Sequence, residues 1–245
     1  MNLLEALDID KGVICLVGAG GKKTCMYHLA ATFPGRVLLT STAHMYPYDA
    51  KLIDRLVDWE DNGASFQLEE SERVVALGSK TDTPKRIGGV SDSALVETLG
   101  KHDFDLCVVK ADGARARWIK APASHEPLIP TSADIVIPVV SIKAIGRLLD
   151  ERTAHRPEMI AELARCRVGD LITARVVSVL LSSEDGALKG VGAHRVVPLI
   201  NMVDNARSQN LARKVAERAL SQSDRFDKVL LASMKTGDVK EIVRR

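Results

Sequence analysis

Val13-Ile14-Cys15-Leu16-Val17-Gly18-Ala19-Gly20-Gly21-Lys22-Lys23-Thr24 is an apolar run that stops at glycines and restarts as a helix-forming segment. It constrains the chain strongly, because it specifies a buried strand, a turn that glycines favour and a helix start in one short stretch. The pattern is that of a phosphate cradle. Glycines let the backbone turn sharply and present N–H groups to an anion, the following helix adds its positive end, and Lys22 supplies a mobile charge. Spacing then sorts the ligands. A dinucleotide fingerprint needs glycine where Lys23 stands, and the standard Walker A pattern needs glycine at Leu16. A shortened loop, G-x-x-G-K with Lys22 as its lysine, fits, although Lys23 occupies the place of the hydroxyl that coordinates magnesium and Thr24 lies one position late. The alternative is a tight strand-to-helix connection with no ligand.

At 245 residues the chain can bury a large core, and its 34 basic against 32 acidic residues leave a net charge of +2. That balance provides no broad electrostatic case for nucleic acid or an anionic membrane, so any basic site must be local. No apolar run approaches the roughly 20 residues of a membrane span, and the first residues are too acidic for a secretory signal. The expectation is a cytoplasmic protein. Cys15, Cys25, Cys107 and Cys166 form no C-x-x-C pair and read as core residues.

Alternation of apolar runs with amphipathic segments predicts an α/β fold, a three-layer, mostly parallel sheet flanked by helices. A single domain is expected over residues 1–245, with a small helical insertion at about 143–190. Strands are expected at Arg36–Thr40, Arg73–Leu77, Asp105–Lys110, Asp134–Val140, His194–Ile200 and Lys228–Ala232. Pro138 implies a strand end, an edge or a bulge. Helices are expected at residues 1–10, from the glycines to Pro34, and over 92–99 with Ser91 as N-cap. Others follow from Pro157 to Leu163, from Thr173 to Leu181 and from Leu211 to Leu220.

Three further stretches carry chemistry. His44 follows the second strand, where parallel sheets bind ligands, and reads equally as a loop residue. Asp112 ends an apolar strand beside Gly113, the place of a magnesium-holding aspartate or of an ordinary turn. Arg115, Arg117 and Lys120 follow it, able to meet charge developing during phosphoryl transfer or simply to line a solvated loop. Asn201-Met202-Val203-Asp204 closes a late strand as N-x-x-D, a base-reading pattern of guanine sites with Met202 in place of the lysine, and also a common turn composition.

Together these stretches, with Lys110 to Pro130 and His155-Arg156, resemble the selenium-dependent hydroxylase accessory proteins of the YqeC family over nearly the whole chain. The run from Asp112 to Pro130, with Pro122, His125, Glu126 and Pro127, carries the most specific part of the likeness. Lys23, Lys110 and Met202 depart from the family at a magnesium hydroxyl, a glutamate and a base-site lysine. The resemblance implies a phosphate-loop, NTPase-like protein that binds a nucleoside triphosphate, ATP or GTP, with Mg²⁺. The resemblance further implies an ATPase or GTPase assisting maturation of a selenium-dependent molybdenum hydroxylase, with that hydroxylase or its maturation factors as partner. Gly18, Ala19, Gly20, Gly21, Lys22, Lys23 and Thr24 would hold phosphates, Asn201 and Asp204 the base, and Thr24 and Asp112 the metal. Lys22, Asp112, Arg117 and Lys120 would stabilise the transferring phosphoryl group, with Arg156 near them, and His125 and Glu126 would orient water or substrate. Two other readings stand beside this one, a nucleotide sensor or scaffold without turnover and an enzyme passing the phosphoryl group to a small acceptor.

Overall fold

A computed structural model describes residues 1–83 and 85–245. The first half of the chain runs α1 (Leu3–Leu7), β1 (Gly12–Gly18), α2 (Lys22–Thr32), β2 (Val37–Ser41), β3 (Arg55–Asp58), α3 (Trp59–Asn62), β4 (Val74–Gly78) and α4 (Asp92–Lys101). Next come β5 (Leu106–Lys110), β6 (Ile119–Lys120), β7 (Ile135–Ser141), a 3-10 turn at Ile142–Ala144, β8 (Ala154–His155), α5 (Pro157–Ala164) and α6 (Ala174–Ser182). The last are β9 (Arg195–Val196), β10 (Leu199–Asn201), α7 (Ala206–Gln222), β11 (Lys228–Ser233) and β12 (Asp238–Arg244).

The main sheet runs β12-β11-β10-β7-β1-β5-β2-β4-β3, with β9 also on β7, and every pair but β11–β12 is parallel. β6 and β8 form a separate parallel pair. Parallel strands buried on both faces need continuous apolar runs, which is why β1 and β7 carry so few polar residues. Alternation along β1 sends Ile14 and Leu16 to the face covered by α1 and α2, while Cys15 and Val17 meet the core shared with α5, α6 and α7. Under the β2–β4 half, α4 buries Ala94 and Leu95 against Leu38, Val75 and Val109. Its start is set by the Ser91 hydroxyl, which accepts from the Ala94 amide at 3.1 Å.

Pro138 sits neither at an end nor at an edge but inside β7, between β1 and β10. On the β10 side the partner strand is broken between Val196 and Leu199, so the missing N–H falls at a gap in the ladder. β3, α3 and β12 fall outside the strands and helices expected from the sequence. β12 alternates exposed and buried residues as an edge strand does, with Val239 and Val243 inward. Among the described residues no helix is long and apolar enough to cross a membrane.

Candidate phosphate site

The turn after β1 carries positive φ at Gly18, Gly20 and Gly21, of 88°, 94° and 128°. A Cβ at Gly20 would meet the Ser141 backbone nitrogen at 2.5 Å, and one at Gly21 would enter the Asn201 amide. These glycines are thus required by conformation and by close packing alike. The first two amides of the turn are consumed internally. Gly18 N–H donates to Asp112 Oδ2 at 2.9 Å, and Ala19 N–H donates to the Val139 carbonyl at 2.8 Å. From Gly20 to Thr24, by contrast, no backbone N–H finds a partner among the described residues; the Cys25 amide begins the helical ladder on the Gly21 carbonyl. The open donors therefore begin two residues later than the expected Gly18 and Ala19.

Behind the loop lies a buried chain of charges. β5 lies beside β1, with Leu16 opposite Lys110, so the residues just after β5 come back under the turn. There Asp112 takes Lys22 at 2.8 Å on one oxygen and Lys120 at 3.0 Å on the other. Lys22 also donates to the Gly18 carbonyl. Lys120 reaches Glu126 at 2.8 Å and the Gly113 carbonyl at 2.7 Å, and Glu126 in turn holds Arg156 at 2.7 Å. The pairing of Lys120 with His155 across β6 and β8 brings Arg156 to this row.

Burial pushes the Lys22 ammonium down and Asp112 pulls it back up. Burial works to raise the Glu126 carboxyl, but Lys120 and Arg156 hold it down at about 2. His155, pressed by burial and by Arg156, Lys120 and Arg115, falls to about 4. Lys110 is lowered to about 8 by burial and by the neighbouring charges of Lys22 and Lys120. Its ammonium nitrogen is buried and has no hydrogen-bond partner among the described residues.

A cavity of about 550 Å³ opens in front of the loop. Gly20 to Thr24 form one wall, Lys110 and Arg117 another, and Tyr46, Trp118 and Met202 supply aromatic and apolar surface. The antiparallel bridge of Met45 with Ile87 brings Arg86 over the Tyr46 ring, 4.2 Å from its centroid, and Arg147 lies 4.5 Å over Trp118. Sequence reasoning missed Tyr46 and Trp118. Their signal was aromatic character beside polar residues at strand ends, in His44-Met45-Tyr46 and Arg117-Trp118.

The structure gathers some expected residues and separates others. Thr24 and His44 are exposed on the cavity wall. Lys23 is turned aside, donating to the carbonyls of Tyr46, at 3.5 Å, and Pro47, at 2.5 Å. Arg117 lies on the wall but spends its guanidinium on the carbonyls of Glu151 and Arg115. Lys120 and Glu126 stand behind the loop, and His125 is exposed away from the cavity lining. Asn201 is a clamp: its amide donates to the Gly20 carbonyl at 2.8 Å, and its oxygen accepts from Met202 and Met234 at 2.6 and 2.9 Å. Asp204 is outside the cavity lining, paired with Lys143 and Ser233 at 2.8 Å each, and these partners lower its carboxyl. As for magnesium, each oxygen of Asp112 lies within 3.0 Å of an ammonium group, Lys22 on one side and Lys120 on the other, and no group of three or more His, Cys, Asp or Glu that could hold a metal occurs among the described residues. Thr24, the other residue expected at the metal, is exposed on the cavity wall, while Asp112 stands behind the loop between its two lysines.

A mostly parallel sheet with a strand, a glycine turn and a helix whose open amides face a cationic cavity defines a phosphate-loop, NTPase-like α/β protein. The chain belongs to the YqeC family, whose model, described as YqeC protein, matches residues 14–158. The uncharacterized protein YqeC of Escherichia coli (strain K12) is 27% identical over 220 residues, covering 84% of this chain and 85% of that one. The crystal structure of HypB from Helicobacter pylori in complex with nickel aligns with a TM-score of 0.42 and 12% identity, over 95% of this chain and 83% of that one. A likeness this slight informs neither the ligand nor the chemistry.

Proposed function

We propose that this protein binds a nucleoside triphosphate in the cytoplasm, with its phosphates on the amides of Gly20 to Thr24 and its base against Tyr46, Trp118 and Met202. The observation that carries this reading is the run of five consecutive N–H groups, open at the start of an 11-residue helix and facing a cavity walled by lysine and arginine. Lys22 shapes the cradle by tying Gly18 to Asp112. Hydrolysis of ATP or GTP, and service to maturation of a selenium-dependent molybdenum hydroxylase, rest on the family resemblance. Calorimetry with ATP, GTP and CTP in magnesium-containing buffer tests the binding. Saturable binding of at least one nucleotide is expected, weakened in Lys22→Ala, and absence of binding for all three overturns the proposal. For the maturation role, hydroxylase activity in cells lacking the protein should fall and return with the wild-type gene but not with Lys22→Ala.

Binding without turnover is the second reading, supported by the absence of any carboxylate on the described cavity wall and by the commitment of Asp112 to two lysines. Single-turnover assays separate the two, since product above the Lys22→Ala background excludes a pure sensor.

A further inference from the structure

Four cations and two carboxylates meet behind and beside the loop, and three of the cations are spoken for. Lys22 is paired with Asp112, Lys120 with Asp112 and Glu126, and Arg156 with Glu126. Lys110 is the remaining one. It ends β5 at the register position of Leu16 on β1, and its side chain lines the same cavity as the open amides. Its ammonium nitrogen is buried with no acceptor among the described residues. An ammonium withdrawn from water without an acceptor is unfavourable, and the neighbouring carboxylates, Asp112 and Glu126, each already stand within 3.0 Å of two other cations, so the acceptor that fits is an incoming anion. A lysine offers three rotatable donors around a point charge, which suits the oxygens of a tetrahedral phosphate.

We propose that Lys110 is the cation that receives the terminal phosphate of the bound anion, the role assigned from sequence to Lys22. The inference rests on the nucleotide reading above for the identity of the anion but not for its charge. Lys22 and Lys120 then hold the loop in shape, and Lys110 and the open amides close on the phosphate from two sides.

The test titrates wild type and Lys110→Met with ATP, GTP and inorganic tripolyphosphate in magnesium-containing buffer, together with thermal melts of each protein without ligand. Lys110→Met should lose about 10- to 100-fold in affinity for tripolyphosphate and for the nucleotide that binds. Its ligand-free melting temperature should stay level or rise, because an unpaired buried charge has been removed, whereas a merely structural lysine would lower it. Should Lys110→Met fail to fold, Lys110→Gln carries the same expectation. Unchanged affinity in the folded variant overturns the assignment. Wild type that binds tripolyphosphate through Lys110 but no nucleotide keeps the assignment and removes the nucleotide reading; wild type that binds none of the three removes both.

Discussion

Lys120 has three partners at once, Asp112, Glu126 and the Gly113 carbonyl, while its side chain is only 1% exposed. Ion pairs this deeply buried add little over a well-packed apolar core, yet removing one member leaves others short of a counter-charge. Lys120→Met should therefore cost about 3 kcal/mol, read from denaturant unfolding. Arg156→Met, at a side chain 24% exposed, should cost less. Glu126 gives the cluster a pH signature. Its carboxyl is held at about 2 in the folded protein against an ordinary value of 4.5, so its contribution is complete above 4.5 and is lost as the pH falls toward 2. Unfolding free energy measured between those values should fall with acid in wild type and fall less steeply in Glu126→Gln. The sequence marked Lys120, Glu126 and Arg156 as charged and near a phosphate pattern. That two lysines share one aspartate was not legible in it, because side-chain pairing depends on which strand ends stand together.

At the scale of elements, the loop between β1 and α2 is held open by its neighbours. β10 delivers Asn201, whose three hydrogen bonds tie Gly20 to the amides of Met202 and Met234. Its replacement by alanine leaves the buried Gly20 carbonyl, the buried Met234 amide and the partly buried Met202 amide short of partners, a loss of about 3 kcal/mol. Asn201→Ala should also weaken tripolyphosphate binding, since the cradle loses its fixed shape. Asp204 differs although it closes the same N-x-x-D. It is exposed and paired with a solvated Lys143, so Asp204→Ala should change stability by less than about 1 kcal/mol. Nucleotide binding should survive that substitution; a selective loss of GTP in calorimetry would return Asp204 to the base site. The motif was visible as letters, and its division into a clamp and a surface pair was not.

Across the whole molecule, the parallel sheet ends on one flank in an antiparallel strand. β12 covers β11, every residue of which is buried, and its outward positions include Asp238, Lys240 and Arg244. Such charges discourage pairing with another chain at a sheet edge. A chain lacking residues 238–245 should expose the β11 edge and form larger species in size-exclusion chromatography, while the full chain does not. The sequence by itself determined the parallel α/β layout, the glycine turn and the helix that follows it. Those depend on local propensity, on period and on a backbone conformation glycines favour. Tertiary structure alone decided what the turn contacts. Gly18 meets Asp112 across 94 residues and Gly20 meets Asn201 across 181, and only the order of strands in the sheet brings them together. The same ordering placed Pro138 against a break in its partner, occupied Lys22 and Lys120 with Asp112, and left Lys110 on the cavity lining with its buried ammonium unpartnered among the described residues, because strand neighbours are set by packing of the whole core.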